Sequence, residues 1–134
     1  MKKLVTSGLL LPILICFVTL LAYAMPVNNI FQAPTMNIEG TANSIVGQLD
    51  KSLFLTNTQK PKLLSIVTNY LKQKIAILPL QQSNQKAYTS KINSMQNGLQ
   101  AKLKPLFTLT QYTEFLGLKP KTYDDTNVLS QLYY

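Results

Sequence analysis

The fold class of this chain is decided by one stretch, TNTQKPKLLSIVTNYLKQKIAIL, at residues 56–78. Its apolar residues recur every three or four positions, so on an α-helix they form a single stripe. Pro79 follows directly, and a proline cannot donate the next backbone hydrogen bond of a helix. The stretch therefore predicts one long amphipathic helix, with an apolar stripe made of Leu64, Val67, Leu71, Ile75 and Leu78.

A second long helix is predicted over residues 83–104, closed by Pro105. Its apolar positions again step by three and four along one face. Only residues 79–82 separate the two long helices, and a connection this short makes them lie antiparallel. The sequence therefore predicts a helical hairpin, and the stripe of its second helix contains Tyr88, Ile92, Met95, Leu99 and Leu103.

Shorter helical segments flank the hairpin. Residues 41–54 and 108–116 show helical spacing, and Gly117 is placed to end the latter in a left-handed conformation. A last turn is expected near residues 128–132. No stretch alternates apolar and polar residues long enough to predict a sheet. The predicted fold is all-α, an antiparallel hairpin plus short flanking helices in a small bundle.

The N-terminal 24 residues have the composition of a signal peptide. A basic start at Lys2 and Lys3 precedes an apolar run over residues 9–21, and a small-x-small site ends it. We expect cleavage between Ala24 and Met25. The alternative is a retained anchor, because residues 4–24 are long enough to span a bilayer. Residues 25–40, rich in proline and asparagine, are expected to form an extended linker before a helical domain at 41–134.

Composition narrows the classes of function. The chain has no histidine and no arginine, and after cleavage 11 lysines face five acidic residues, a net charge of +6. Lysine alone does not offer the planar fork that reads guanine and phosphate, so sequence-specific nucleic-acid binding is not expected. A hydrolase triad lacks its histidine, and the carboxylates are too scattered for a metal cluster. We predict no catalytic, cofactor-binding or metal-binding residue.

One short motif occurs twice, as an apolar residue followed by Thr-x-x-Gln. A threonine before a helix accepts a hydrogen bond from the third helical N–H, and a glutamine at that third position reaches back to the threonine N–H. Both copies therefore predict a capping box. In the first copy Pro61 conflicts with a regular helix start, which predicts a distorted first turn or a cap at Thr58. The motif residues are Leu55, Thr56 and Gln59, and Phe107, Thr108 and Gln111.

The doubled motif resembles that of the LTxxQ-motif family of periplasmic proteins, the Spy/CpxP-like proteins. The chain is also similar to small secreted helical proteins of Bacteroidota that carry a Gln-Tyr-x-x-Phe-Leu stretch, here at residues 111–116. The likeness covers roughly residues 55–116. The resemblance implies a thin helical hairpin that dimerises and binds unfolded proteins, in chaperone-like or envelope-stress roles.

The sequence favours an exported, non-enzymatic protein-binding module of the cell envelope, periplasmic or secreted. Its expected partner is a polypeptide, and a homodimer is a further expectation. Two alternatives stay open. Lysine-rich amphipathic helices are also typical of proteins that lie on an anionic membrane surface. A secreted structural or accessory protein with one dedicated partner would have the same composition.

Overall fold

The computed structural model describes residues 36–134. The predicted signal peptide, the Ala24–Met25 cleavage position and residues 25–35 of the predicted linker lie outside this range. Six helices and no strand occur within it, which confirms the all-α small bundle. The helices are α1 (Ile38–Leu53), α2 (Gln59–Ile77), α3 (Leu80–Ser83), α4 (Gln85–Leu106), α5 (Leu109–Gly117) and α6 (Ser130–Tyr133).

Helix α1 begins three residues before the predicted start, so residues 38–40 are helical and not linker. The earlier start is explained by a helix N-cap at Asn37. The side chain of Asn37 accepts a hydrogen bond from the backbone N–H of Gly40 at 2.9 Å. Asparagine is among the strongest N-cap residues, because its short side chain reaches the unpaired N–H groups of the first turn.

The predicted hairpin of two long antiparallel helices is confirmed, as α2 and α4. The side chain of Gln59, at the start of α2, contacts the carbonyl of Leu106, at the end of α4. Helix α4 begins two residues later than predicted, after Asn84, whose side chain accepts from the N–H of Ala87. Pro105 lies inside the last turn of α4, and not beyond it.

The core lies between α1, α2, α4, α5 and the C-terminal segment. The buried face of α2 differs from the predicted stripe. Leu63 and Tyr70 are buried, whereas Leu64 and Ile75 are only half-buried. Helix α2 packs against α1 as well as α4, so residues beside the predicted stripe are buried too. The buried residues of α2 are Leu63, Val67, Tyr70, Leu71 and Lys74.

The C-terminal segment completes the core. Leu129, Ser130, Leu132 and Tyr133 are all buried. The ring of Tyr133 stacks on Phe115 with centroids 5.2 Å apart, and its hydroxyl donates to the Phe115 carbonyl. Helix α5, which carries Phe115, ends without a left-handed glycine, so the predicted role of Gly117 is wrong. Leu118 ends the helix in a right-handed conformation instead.

The C-terminal segment also buries a charged side chain of α2. Lys74 of α2 is only 8% exposed. Its Nζ donates to the backbone carbonyl of Gln131 at 3.0 Å and to the side-chain oxygen at 3.3 Å. Both acceptors are neutral, so no negative charge among these partners offsets the loss of hydration. Burial lowers the pKa of Lys74 from 10.5 to about 8.

This lysine predicts an alkaline rise in stability. Between pH 8 and pH 10 the unfolded chain holds the Lys74 proton more tightly than the folded chain, so the free energy of unfolding increases with pH. Above pH 10 the trend reverses, because burial raises the pKa of Tyr70 to about 12 and also raises that of Tyr133. Urea unfolding at half-unit pH steps measures the effect.

The control for this effect is a pair of matched variants. Lys74→Met should abolish the rise between pH 8 and pH 10, whereas Lys72→Met, at an exposed position of the same helix, should keep it. A rise that survives in Lys74→Met would show that another group is responsible.

Candidate functional site

The first Thr-x-x-Gln copy forms a capping box at the start of α2. The backbone N–H of Gln59 donates to Thr56 Oγ1 at 3.2 Å, and the N–H of Thr56 donates to Gln59 Oε1 at 2.9 Å. Residues 57–58 form a turn, so the regular helix begins only at Gln59. Pro61 therefore lies in the first turn, where its missing N–H would have had no helical partner. The sequence conflict at Pro61 is resolved by this late start.

The second copy forms the same box at the start of α5. The N–H of Gln111 donates to Thr108 Oγ1 at 3.2 Å, and the N–H of Thr108 donates to Gln111 Oε1 at 3.0 Å. The two boxes have nearly identical distances. The distorted first turn that Pro61 predicts is nevertheless present in the first copy: residues 57–58 form a turn, and Thr58 precedes the regular part of α2 without a side-chain cap hydrogen bond.

The two boxes also bind each other. Gln59 Nε2 donates to Gln111 Oε1 at 2.8 Å, and Gln111 Nε2 donates back to Gln59 Oε1 at 3.3 Å. Each amide nitrogen then donates once more, to a carbonyl at the end of the helix that precedes the other motif. Gln59 bonds Leu106 at the end of α4, and Gln111 bonds Leu53 at the end of α1. We call these two side chains the amide pair.

Every hydrogen-bonding position of the amide pair is used. A primary amide offers two donors and accepts two bonds, and both glutamines reach this number inside the protein. Each glutamine thus satisfies the N-terminus of its own helix and a carbonyl at the C-terminus of another. An amide does not gain or lose a proton near neutral pH, so the pair offers no acid–base chemistry. Its chemical role is to join the α1–α2 and α4–α5 units.

Two exposed apolar side chains lie beside the amide pair. Phe54 and Leu109 are each 83% exposed. Phe54 follows Leu53, which accepts from Gln111, and Leu109 precedes Gln111 by two residues. Among residues 36–134, Phe54 is the only residue other than glycine with a positive φ, at 52°. That conformation costs a bulky residue roughly 1 kcal/mol, and glycine is the usual occupant of such helix ends.

A groove runs between α2 and α4 on the side that α1 does not cover. The central one of three adjoining depressions shares Ile66 and Lys102 with one neighbour and Met95 with the other, so the three form one continuous surface. The central depression has a volume of about 160 Å³. We call this surface the α2–α4 groove; its apolar floor contains Ile66, Ile77, Met95, Leu99 and Leu106.

The rim of the α2–α4 groove is positive. Lys62 and Lys102 line one end and Lys91 lines the other, and all three are exposed. None of the described residues that line the groove is acidic. The centre is open at Gly98, where an added Cβ atom would meet nothing within 4 Å. An apolar strip between like charges can bind a partner that is apolar and acidic.

The structure brings together four of the predicted motif residues, Thr56, Gln59, Thr108 and Gln111, in one hydrogen-bonded unit. Leu55 and Phe107, which precede the two caps, are buried in the core. Sequence reasoning missed the amide pair and the groove. The available signal for the pair was the repetition itself, since two copies of one motif often mark two units related by approximate symmetry. The groove had no signal, because Met95 and Leu99 belong by spacing to the apolar stripe of the second long helix, and the sequence does not show which part of that stripe stays uncovered.

Residues 36–134 thus form a small helical bundle in which the α1–α2 and α4–α5 units meet at paired glutamines, with a lysine-rimmed groove between α2 and α4. No family model, curated protein or solved structure matches the chain. No helix among residues 36–134 has the length and apolar character that crossing a membrane requires. The same residues hold no group of three or more side chains of the kinds that ligate metals.

The amide pair predicts a pH-dependent cost for Gln111→Glu. The variant replaces a donor by an oxygen that faces the acceptors of Leu53 and Gln59, so we expect the free energy of unfolding to fall by about 1–3 kcal/mol at pH 7. Those acceptors hold the pKa of the new carboxyl above its usual value of about 4.3. Protonation restores a donor, and therefore the penalty should shrink as the pH falls through that pKa.

Urea unfolding of Gln111→Glu between pH 4 and pH 7 provides the measurement. Gln100→Glu, at an exposed position of α4, is the matched control and should change stability little. A penalty equal to that of the control, or one that does not change with pH, would contradict the assigned hydrogen bonds.

Proposed function

We propose that this protein is an exported polypeptide-binding module of the cell envelope, periplasmic or secreted, that acts without a nucleotide or other cofactor. The observation that carries the proposal is the α2–α4 groove, an apolar floor between exposed lysines, with no acidic side chain among the described residues that line it. Exposed apolar surface with a polar rim is typical of protein-binding sites.

Electrostatics support a polypeptide as the partner. The chain carries eight more positive than negative charges at pH 7, and all the positive ones are lysines. Lysine attracts carboxylates as a point charge, so the rim of the groove favours an acidic partner. The doubled motif adds a second line of support, because the LTxxQ-motif family that it resembles includes chaperone-like proteins.

A light-scattering assay tests the proposed function. The purified protein, at several-fold molar excess and without ATP, should suppress the aggregation of a chemically denatured acidic client. Suppression should be weaker at 0.5 M salt than at 0.05 M, because at the higher concentration the attraction between charges extends over only about 4 Å.

Anionic vesicles provide the contrasting measurement. Unchanged client aggregation, together with binding to vesicles that contain phosphatidylglycerol, would contradict the proposal and favour a protein of the membrane surface. Suppression that does not change with salt concentration would show that the lysines do not contribute to client binding.

A further inference from the structure

We infer that the occupant of the α2–α4 groove is an acidic amphipathic helix, contributed by the partner, with carboxylates eleven residues apart. This inference rests on the proposed function, because it names the chemistry of the segment that the groove binds. Three properties of the groove lead to it: the spacing of its lysines, the apolar side chains between them and the absence of a strand edge among the described residues.

The floor favours a helix over an extended segment. An extended peptide brings unpaired backbone N–H and C=O groups, and burying them without partners costs free energy. The polar groups that line the α2–α4 groove are isolated side chains, such as Tyr70, Gln73 and Ser94, and no strand edge exists among residues 36–134 to pair with an extended backbone. A helix satisfies its own backbone and presents only side chains, which matches a groove between two helices.

The lysine spacing fixes the register of that helix. Lys91 and Lys102 are eleven residues apart on α4, a distance of about 16 Å along the helix axis. A partner helix that runs along α4 covers the same distance in eleven residues. Eleven residues are close to three full turns, so both carboxylates fall on one face of the partner. Lys62 adds a second positive charge at the Lys102 end.

An extended segment does not fit the same spacing. At about 3.3 Å per residue it would need carboxylates roughly five residues apart. Side chains five apart on a strand point to opposite faces, so one of the two carboxylates would turn away from the groove. Carboxylates four or six residues apart on a strand share a face but miss the lysine spacing by about 3 Å, so the helix is the closer match.

Gly98 provides the closest approach at the centre of the groove. Without a side chain there, an apolar residue of the partner can reach the floor beside Met95 and Leu99. A partner helix with apolar residues at the fourth and seventh positions after its first carboxylate places both on the same face as the two acids.

Synthetic helical peptides test the inference by fluorescence anisotropy with the purified protein. The first peptide carries glutamates at positions 2 and 13 and leucines at 6 and 9. The second has the same composition with the later glutamate at position 11, on the opposite face. We expect the first peptide to bind, and the affinity of the second to be lower by about 5-fold or more. The difference is modest because each lysine–carboxylate pair at the rim contributes little binding free energy. Equal binding of both peptides would overturn the inference.

Paired variants separate the groove from general charge. The double variant Lys62→Gln/Lys102→Gln should lower the affinity for the first peptide about 5-fold. The control, Lys72→Gln/Lys104→Gln, removes the same charge from the same helices outside the groove and should change the affinity less than about 2-fold. Equal losses from the two pairs would overturn the inference, because binding would then depend only on net charge.

A second pair of variants fills the groove without changing charge. Gly98→Gln adds a side chain to the open centre, and Gly47→Gln makes the same change at an exposed glycine of α1 that also has nothing within 4 Å. Both glutamines are better helix formers than glycine, so both variants should fold. Only Gly98→Gln should abolish peptide binding. Binding that survives in Gly98→Gln would overturn the assignment to this groove.

The client assay keeps the inference distinct from the proposed function. If neither peptide binds but client aggregation is still suppressed, the helical occupant is wrong and the proposed function stands. If client suppression is also absent, both are wrong. A dimer in sedimentation that Gly98→Gln dissociates, without peptide binding, would assign the groove to a second copy of this chain and overturn the inference.

Discussion

The amide pair of Gln59 and Gln111 links the two halves of the helical bundle by reciprocal hydrogen bonds. It joins four helix ends at one point, because each glutamine caps the start of its own helix and bonds a carbonyl at the end of another. Residues 36–134 contain no cysteine with which to fix these ends covalently. The small bundle therefore relies on hydrogen bonds and packing to set how its two helix–turn–helix units meet.

The open groove is a consequence of this arrangement. The amide pair fixes the start of α2 beside the end of α4. Helix α1 and the C-terminal segment then cover the same side of that hairpin, where Leu71 and Leu103 are fully buried. The opposite side keeps half-buried residues such as Ile66 and Met95, which no described helix covers. The flanking helices of a bundle this small cover only one side of the α2–α4 hairpin.

Local rules accounted for most of the fold. Stripe spacing and proline positions predicted both long helices, and the Thr-x-x-Gln spacing predicted caps that the structure contains. The errors came from tertiary contacts. Lys74 belongs by spacing to the stripe of Val67 and Leu71, but a charged side chain is expected to face solvent. It is buried because the C-terminal segment supplies acceptors for its ammonium group. The amide pair joins residues 52 positions apart, a separation that no local pattern determines.

A double-mutant cycle on Gln59 and Gln111 tests the central claim most directly. Gln59→Ala, Gln111→Ala and the double variant are compared with the natural chain by urea unfolding. If the two side chains act as one unit, the losses in free energy of unfolding are not additive, and the coupling energy is about 1 kcal/mol or more. Losses that add to within about 0.3 kcal/mol would show two independent caps and contradict the account.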